Sequence, residues 1–432
     1  MKNNLKRYGS DFELKSNMNI QRTEYKKRIV VFPQKEKPLE HPMLSRIFGK
    51  ILPDRNYDVT WIVQSSSHSK LINRVSWGNT QAVLVKKKMG RGPIGKFLKG
   101  FYWQIIYIIF AFKTCLSIKP DYLFVRNSVF AGMMALFLRW CHGTRIIFQL
   151  SFLIPESLLL SADEGRIKVP TLQRPYAKLV IKVRTWLLNR VDMVLMISDE
   201  MVRQIAPNLS HISHVRVFPL GVDVNPKINE EFIKSVRELY GIREKRVILY
   251  FGVLDPSRKM EIIIESMIKV IAEVPNVVLM FLGPDHNGKE VDRLKSFSER
   301  FGISKNIIFI GRVPLIEVPN YISLSEFTLS PYPEIPLFQV ASPTKAVESL
   351  AMKKAVIATR IPDQSELISE SGGGIIVPYE SGEFANAILK LLKNPELTRS
   401  MGVSGYNYII RERNYEKLAS DLENWFAELN KL

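Results

Sequence analysis

The sequence is poor in cysteine and has no apolar run long enough to cross a membrane. Its two cysteines, Cys115 and Cys141, lie in apolar segments without CxxC spacing, which predicts reduced structural thiols and fits a cytoplasmic location. The N-terminus lacks an apolar signal core. The most apolar stretch, 100–112, has only 13 residues between Lys99 and Lys113, whereas a spanning helix needs about 20. Either a buried amphipathic helix or an interfacial membrane helix is expected there.

Acidic residues are scarce in one half of the chain. Residues 1–225 contain 35 Lys and Arg against 15 Asp and Glu, whereas residues 226–432 contain 26 against 27. A basic domain attracts nucleic acid, an anionic membrane surface or a phosphorylated substrate. Zinc-finger spacing, an aromatic-basic ribonucleoprotein box and a basic zipper are all missing, which argues against nucleic acid. An anionic membrane face or a phosphorylated lipid is the expected partner.

Patterns typical of metal sites are also missing. No Asp-x-Asp string occurs in the chain, and neither His41 nor His142 has metal-ligand spacing. Both histidines are therefore expected to be structural. We predict a protein that uses no metal ion.

Short apolar runs alternate with longer helical patterns along the whole chain. A length of 432 residues favours two domains. The runs of the first half are 28–33, 59–64, 81–85, 122–126, 145–149, 193–197 and 215–219. Those of the second half are 246–252, 277–283, 306–311, 327–331, 355–359 and 374–378. Runs of this kind suit buried parallel strands, so we predict two tandem doubly wound α/β domains.

A linker rich in polar residues, with Gly221 and Pro226, separates the two series. Two such domains enclose a central cleft, and ligands bind at the carboxyl ends of their strands. The predicted organisation is a polar tail, a first Rossmann-like domain, a second one, and a last helix that packs back on the first domain. Their predicted bounds are 1–27, 28–222, 223–410 and 411–432.

The densest group of polar candidates is in the segment SPTKAVE. Ser342 is predicted to cap a helix, and Pro343 suits its first turn. The free N–H groups of that helix start, including that of Thr344, would bind a diphosphate. Lys345 adds a positive charge in the first turn. Glu348 is about one turn further, so its carboxylate can accept hydrogen bonds from both ribose hydroxyls of the same ligand.

This segment resembles the donor-site signature of the GT4 family of retaining glycosyltransferases, which have the GT-B fold. The family has a glutamate at the end of a loop and helix, then a small residue and a methionine, a strand, and a second glutamate. The corresponding positions here are Glu348, Ala351, Met352, the strand 355–359 and Glu366. The resemblance covers roughly residues 28–425. It implies a GT-B fold with a central cleft and a nucleotide-diphosphate sugar as co-substrate, with no other cofactor.

Further motifs agree with this resemblance. The segment GVLDPSRKMEIII, which begins at Gly252, resembles the family's Gly-Arg-Leu-x-x-x-Lys-Gly loop, whose cations bind the donor diphosphate. In an ungapped match, Arg258 takes the lysine place, Lys259 takes the glycine place, and Val253 replaces the arginine. FLGPD resembles the loop after the second strand, and GRV resembles the segment that contacts the base. These two segments add Gly283, Arg312 and Val313 to the donor-binding candidates. FPLGVD and VDMVLMISDEM resemble the family's hinge between domains and its last long strand of the first domain.

Several positions depart from the family pattern. The acidic residue that usually stands eight positions before Glu348 is Val340 here. The cleft histidine of the first domain is replaced by the sequence around Gln149 and Ser151. The glycine-rich turn after the first strand is QKEKPLEHP instead. Some members have an S-P-x-K donor loop, which this chain matches.

By resemblance, residues 28–222 bind the acceptor and residues 223–410 bind the donor. Arg258, Lys259 and Lys345 would stabilise the departing diphosphate without a metal, and Arg126, Gln149 and Ser151 are candidates in the first domain's side of the cleft. Arg126 is equally suited to a structural ion pair. The implied reaction is hexosyl transfer with retention to a lipid-linked acceptor or a cell-envelope polysaccharide. The implied place is the cytoplasm or the inner membrane face.

Three other functions stay open. A GT-B-fold epimerase would change the nucleotide sugar without an acceptor. A non-catalytic partner subunit, suggested by Val340 and the missing histidine, would bind nucleotide without transfer. A nucleic-acid-binding protein, suggested only by charge, would bind polynucleotides in a salt-sensitive way.

Overall fold

A computed structural model of the chain describes residues 26–33, 41–66, 70–88, 92–163, 165, 170–210, 214–285 and 288–431. Most of the predicted tail and of the segment QKEKPLEHP lies outside these residues. Within them the chain forms two sheets, one of eight strands and one of six. Each sheet is covered by helices on both faces.

The first sheet has the order β3-β4-β2-β1-β5-β6-β7-β8. Its strands are β1 (Lys27–Phe32), β2 (Tyr57–Ser65), β3 (Ile72–Trp77), β4 (Thr80–Lys86), β5 (Tyr122–Arg126), β6 (Arg145–Leu150), β7 (Met193–Met196) and β8 (Val215–Val217). All described neighbours pair in parallel except β3, which runs antiparallel to β4. The β3–β4 hairpin was not predicted, because β3 is an edge strand whose side chains are alternately half-buried and exposed rather than continuously apolar.

The second sheet has the order β11-β10-β9-β12-β13-β14, and all its described pairs are parallel. Its strands are β9 (Arg246–Phe251), β10 (Val277–Leu282), β11 (Ile307–Gly311), β12 (Phe327–Ser330), β13 (Val356–Thr359) and β14 (Gly374–Val377). Strand order therefore reverses between β9 and β12, and this is the switch point where α/β sheets bind ligands. The prediction of two tandem Rossmann-like domains is confirmed.

Helices connect the strands as crossovers. Those up to the linker are α1 (Leu52–Asp54), which extends the π-helix Leu44–Ile51, α2 (Gly92–Ile118), α3 (Val129–His142), α4 (Ile154–Asp163), α5 (Pro170–Leu188) and α6 (Asp199–Ile205). Those after it are α7 (Glu230–Leu239), α8 (Glu261–Glu273), α9 (Lys289–Arg300), α10 (Val318–Leu324), α11 (Pro336–Gln339), α12 (Thr344–Ala351), α13 (Pro362–Ser371), α14 (Ser381–Lys393), α15 (Pro395–Glu412) and α16 (Tyr415–Leu429).

The last helix, α16, packs against the first sheet although its sequence follows the second. Leu418, Leu422 and Phe426 are buried in the same cluster as β1, β2 and the π-helix. The ring of Phe426 stacks on Tyr122 of β5 with 4.3 Å between centroids. The chain therefore crosses between the domains twice, once at the linker after β8 and once between α15 and α16.

The two crossings lie side by side. The N–H of Val222 donates to the carbonyl of Arg413 at 2.9 Å, and the N–H of Tyr415 donates back to Val222 at 3.2 Å. A β carbon on Gly221 would lie 2.6 Å from the Arg413 carbonyl oxygen, so this close approach requires glycine. Any change of angle between the domains must pass through these paired segments.

No helix among the described residues is long and apolar enough to cross a membrane. The stretch 100–112 lies within α2, where Tyr107 and Ala111 are buried and Tyr102 and Ile105 are exposed. The prediction that both cysteines are structural is wrong for one of them. Cys115 is buried, but Cys141 is exposed because it lies on the outer side of α3.

Candidate active site

Two glycines let the ends of β9 and β10 approach each other. Gly252 and Gly283 have φ values of +133° and +147°, which side chains other than hydrogen rarely tolerate. A β carbon on Gly283 would lie 2.0 Å from the carbonyl oxygen of Gly252. A β carbon on Gly252 would lie 2.4 Å from Cε of Lys345. The glycines therefore make room for the Lys345 side chain directly above the end of β9.

Tyr332 follows β12, the strand next to β9. Its N–H donates to the hydroxyl oxygen of Thr359 at 2.8 Å, and that hydroxyl donates back to the Tyr332 carbonyl at 2.8 Å. This pair fixes the loop at the carboxyl edge of the sheet. The ammonium of Lys345 then donates to the Tyr332 hydroxyl at 3.1 Å.

A second cation contacts the same tyrosine. The guanidinium carbon of Arg258 lies 4.3 Å from the ring centre of Tyr332 and 4.6 Å from that of Phe338. Burial alone would raise the pKa of the Tyr332 hydroxyl, but Lys345 and Arg258 outweigh it and lower the pKa to about 8. Neither cation forms a salt bridge with a carboxylate in the described part of the chain. We call Arg258, Tyr332 and Lys345 the cation cluster.

The two neighbouring cation candidates have different surroundings. Arg258 packs inside the cation cluster, whereas the side chain of Lys259 is exposed. Lys259 has φ +48°, the left-handed conformation that favours the glycine of the family pattern. The hydroxyl of Tyr379 contacts the carbonyl oxygens of Arg258 and Lys259 at 2.9 and 2.6 Å, which holds this turn in place.

The predicted cap of α12 is wrong. The hydroxyl of Ser342 accepts a hydrogen bond from the N–H of Leu220 in the linker at 3.3 Å instead of capping the helix. Pro343 is the residue before the helix, whose first residue is Thr344, and no side chain caps it. The N–H groups of the first turn are therefore left for another acceptor.

Glu348 is partly buried one turn along α12. It makes no hydrogen bond or salt bridge with any described side chain. Burial raises its pKa to about 7, although the charge of Lys345 opposes the rise. Burial raises the pKa of Tyr415 at the start of α16, and the charge of Glu348 adds to the rise. Glu348 is thus a carboxylate with unused acceptor capacity near the crossing between the domains.

A groove lies next to the cation cluster, at the ends of β10 and β11. Its volume is about 560 Å³. It is lined by Gly283, Pro284, Asp285, Gly288, Val291, Asp292, Gly311 and Arg312. The side chain of Arg312 is exposed, and that of Val313 packs on the apolar cluster beneath. The sequence-predicted donor residues of three loops therefore lie along one edge of the second sheet.

The candidates of the first domain lie at the ends of β5 and β6. Arg126 is buried, and a terminal nitrogen of its guanidinium lies 3.0 Å from Nε2 of His41. Burial lowers the pKa of Arg126 to about 10. No carboxylate of the described residues forms the structural ion pair that was the predicted alternative role of Arg126. The amide of Gln149 is fully buried, and its nitrogen contacts the sulfur of Met43 at 3.8 Å.

Ser151 has a structural role in a tight loop. Its hydroxyl accepts a hydrogen bond from the side-chain amide of Asn127 at 2.7 Å, and its N–H donates to the same side chain at 2.8 Å. Asn127 has φ +55°, so the bond holds a left-handed turn after β5. This turn places Arg126 at the edge of the sheet.

Val340, which occupies the place of the family's acidic residue, is a contact between the domains. Its side chain is 2% exposed and belongs to the apolar cluster of the first sheet. The hydroxyl of Ser198, at the start of α6, donates to the Val340 carbonyl at 2.8 Å. An ionised carboxylate would be desolvated at this position in this arrangement of the domains.

Sequence reasoning missed Tyr332 and Phe338, which lie in the loop just before the segment SPTKAVE. The rule that ligands bind at the carboxyl ends of strands could have found Tyr332, since it follows β12 within two residues. Phe338 had no such signal, because its contact with Arg258 depends on how the loop folds back.

Two Rossmann-like domains of this order define the GT-B class, and comparison with known proteins agrees. The family model described as Glycosyltransferase Family 4 matches residues 48–226, and that described as Glycosyl transferases group 1 matches residues 233–408. Between them they take in most of the chain. The chain belongs to the group 1 glycosyltransferases, which confirms the resemblance.

Among curated relatives, the putative glycosyltransferase YtcC of Bacillus subtilis is 24% identical over 229 residues, covering 50% of this chain and 54% of the relative. The chain spans about half the length, or less, of the first curated relatives it matches. A sucrose-phosphate synthase structure from Thermosynechococcus elongatus has a TM-score of 0.70 at 16% identity, covering 94% of this chain and 100% of that one. HepE of Anabaena, in complex with UDP and glucose, has a TM-score of 0.67 at 16% identity, covering 92% and 99%. These similarities concern the fold.

Proposed function

We propose that this protein transfers a sugar from a nucleotide-diphosphate sugar to an acceptor, with retention of anomeric configuration and without a metal ion. The observation that carries the proposal is the cation cluster. Lys345 and Arg258 share one buried tyrosine, and neither has a carboxylate partner in the described residues. Two neighbouring cations, one of them in the first turn of a helix, fit a diphosphate.

The ribose and the base of the nucleotide also have suitable binding residues in the second domain. The carboxylate of Glu348 has unused acceptor capacity, which suits the two hydroxyls of a ribose. The groove beside Gly283 and Arg312 has room for the base. HepE, which has the same fold, was crystallised with UDP and glucose, and this supports a nucleotide sugar as the ligand.

The cation cluster also suits the chemical step. When the bond between the sugar and the diphosphate breaks, negative charge builds up on the departing phosphate. Lys345, Arg258 and the N–H groups of α12 would stabilise that charge from fixed positions, which lowers the barrier. Lys259 is exposed and would assist only if the turn moves. Closing of the domains would exclude water, which otherwise hydrolyses the donor.

The acceptor would bind on the first domain. Arg126 is a buried cation without a carboxylate partner among the described residues, at the carboxyl edge of the first sheet. This favours an acceptor with a phosphate or carboxylate group, such as a lipid-linked phosphate or an acidic glycan. Transfer with retention, and a role in cell-envelope polysaccharide synthesis, rest on the family resemblance.

A second candidate function is a non-catalytic subunit that binds nucleotide sugar. It is favoured by Gln149, which stands where the family has its cleft histidine and is buried away from any titratable partner in the described part. Such a subunit would bind the donor without consuming it.

Thermal-shift screening against UDP, GDP, ADP and their sugars tests donor binding. We expect one base to raise the melting temperature of the full chain, and Glu348→Ala to abolish the rise. Glu334→Ala is the matched control, because Glu334 is exposed in the loop before α11. If no nucleotide stabilises the protein, or if both variants respond alike, the proposed donor site is wrong.

A further inference from the structure

Three helices of the first domain form one layer on a single face of the eight-stranded sheet. Their inward residues, among them Ala111 of α2, Ala135 of α3 and Leu187 of α5, belong to one buried cluster with β1, β5 and β6. Helix α3 packs against α2 on one side and α5 on the other. The outward sides of the three helices therefore face the same direction, away from the sheet.

These outward sides are apolar where a solvated helix would be polar. The exposed large apolar side chains of the layer are Tyr102, Ile105, Ile109, Phe130, Met133, Phe137, Trp140, Leu172, Tyr176, Leu179 and Trp186. In each helix they recur at intervals of three, four or seven residues, so they form a stripe. Trp140 is 84% exposed and Phe137 is 61% exposed. More than half of the exposed large apolar side chains of the described residues lie in this layer.

The stripes of α2 and α3 meet, and α5 packs beside α3. The ring of Phe137 on α3 contacts Phe112 on α2 with 6.3 Å between centroids, and contacts Trp140 with 6.1 Å. The guanidinium of Arg190, just after α5, lies over the ring of Trp186 at 4.2 Å from the ring centre. Water-soluble monomers rarely expose a continuous apolar surface of this extent without a binding partner.

The three helices themselves carry only positive charges, although some of their arginines pair with acidic residues of neighbouring segments: Arg139 with Asp192, Arg174 with Asp163, and Arg184 with Glu156. The sequences of α2, α3 and α5 contain no aspartate or glutamate. Lys99 precedes Tyr102 by three residues, and Lys113 follows Ile109 by four. The two lysines therefore extend the α2 stripe, one at each end. Both lysines are exposed, and so are Lys178 and Lys182 beside the α5 stripe. Apolar and aromatic residues fringed by lysine match the boundary between acyl chains and anionic headgroups.

We propose that the outer surface of α2, α3 and α5 docks the protein on a lipid bilayer that contains anionic lipid. The aromatic and aliphatic stripes enter the headgroup region, and the lysines contact the lipid phosphates. This surface goes beyond the donor site of the second domain and does not depend on it. Docking would hold the first domain, with its buried Arg126, against the surface where lipid-linked molecules are found.

Flotation of the full chain with vesicles of phosphatidylcholine, with and without phosphatidylglycerol, tests the proposal. We expect the protein to float only with vesicles that contain phosphatidylglycerol, and to be released at high salt. The double variant Phe137→Ser/Trp140→Ser should lose this binding. Leu315→Ser/Ile316→Ser, a pair of exposed apolar residues in the second domain, is the matched control and should bind like the unchanged protein.

Two charge-reversal double variants test whether vesicle binding depends on this surface or only on the net charge of the protein. Each lysine near an anionic surface strengthens binding roughly fivefold. Lys178→Glu/Lys182→Glu should therefore weaken vesicle binding by far more than Lys305→Glu/Lys390→Glu, which changes the net charge equally on exposed lysines of the second domain. If the two pairs weaken binding alike, the layer is not the docking surface. If no variant or vesicle shows binding, or if the layer instead joins two copies in sedimentation experiments, the proposal is overturned.

Cys141 supplies a local readout. It is exposed on α3 next to Trp140, whereas Cys115 is buried, so an environment-sensitive thiol dye labels the layer selectively. Phosphatidylglycerol vesicles should shift the dye emission to that of an apolar environment. Binding without any shift would place the contact elsewhere and contradict the proposal. Nucleotide-induced stabilisation, measured on the same labelled protein, reports the donor site separately.

Discussion

The ammonium of Lys345 and the hydroxyl of Tyr332 lie 3.1 Å apart at the carboxyl edge of the second sheet. Arg258 covers the ring of the same tyrosine, so one phenol contacts two cations. Neither cation forms a salt bridge with a carboxylate of the described residues, although Asp255 acts on Arg258 and Glu348 acts on Lys345 at longer range. The diphosphate of the proposed donor would supply negative charge to both cations.

Replacing Lys345 should weaken donor binding more than any other single change in the cation cluster. A hydrogen bond to a charged group contributes about 1.5–3 kcal/mol, so Lys345→Met is expected to lower affinity for the nucleotide sugar by roughly 10- to 100-fold. Isothermal titration calorimetry measures this loss. Lys305→Met, at an exposed position of the same domain, should leave affinity unchanged. Equal affinities for both variants would contradict the role of Lys345.

The pKa of Glu348 predicts an acid limit to donor binding. Its raised value of about 7 means that the carboxyl group becomes protonated as the pH falls below 7, and it then offers one acceptor fewer to the ribose. The phosphates of a nucleotide sugar do not titrate in this range. Well below pH 7, the affinity for the nucleotide sugar should therefore fall by roughly tenfold for each unit of pH. Glu348→Gln should bind more weakly at pH 8 and show no further fall on acidification. A wild-type affinity that is constant from pH 8 to pH 5 would contradict this prediction.

The pKa of Tyr332 predicts an alkaline limit. The two cations lower it to about 8, so above this pH a phenolate increasingly neutralises the cation cluster and competes with the diphosphate. Affinity should therefore decline as the pH rises through 8, because binding an anion favours the protonated phenol. Tyr332→Phe should remove the decline while keeping the acid limit. Persistence of the alkaline decline in Tyr332→Phe would assign it to another group.

The approach of β9 and β10 predicts a specific glycine requirement. Gly283→Ala places a methyl group 2.0 Å from the Gly252 carbonyl oxygen and should destabilise the second domain by about 2–4 kcal/mol. Gly241→Ala is the control, since Gly241 also has positive φ but a β carbon there meets nothing within 4 Å. That change should cost only about 1 kcal/mol. Urea unfolding of both variants measures the difference in the free energy of unfolding. Equal losses of stability would show that the positive φ alone, and not the close contact, causes the destabilisation.

The sequence was sufficient to predict most of the fold because buried parallel strands are continuous apolar runs. Every run proposed from the sequence coincides with a strand of the structure. Strand β3 was not predicted, because its side chains are half-buried or exposed and do not form a continuous apolar run. Helix ends were harder, since the hydroxyl of Ser342 was expected to cap α12 but bonds to Leu220 in the linker. A local pattern cannot reveal a partner that is 122 positions away.

The sequence was sufficient to identify single residues of the candidate site but not the contacts between them. Lys345, Glu348 and Arg258 were found by their places in motifs. That Arg258 is packed in the cluster while Lys259 is exposed follows from the aromatic residues of another loop. Val340 could be recognised as a departure from the family pattern, but its role as a contact between domains appears only when the two sheets are placed together. The apolar layer on α2, α3 and α5 likewise depends on knowing which helix faces are outward.

Sugar transfer itself can be measured with a labelled donor. The protein is incubated with the nucleotide sugar that stabilises it, carrying a labelled sugar, together with a lipid-linked or glycan acceptor fraction. We expect label in the acceptor and an equal amount of free nucleotide diphosphate, with both lost in Lys345→Met. Binding of the donor without release of diphosphate would indicate a non-catalytic subunit. An altered nucleotide sugar formed without acceptor would indicate an epimerase, and either result would contradict the proposed sugar transfer.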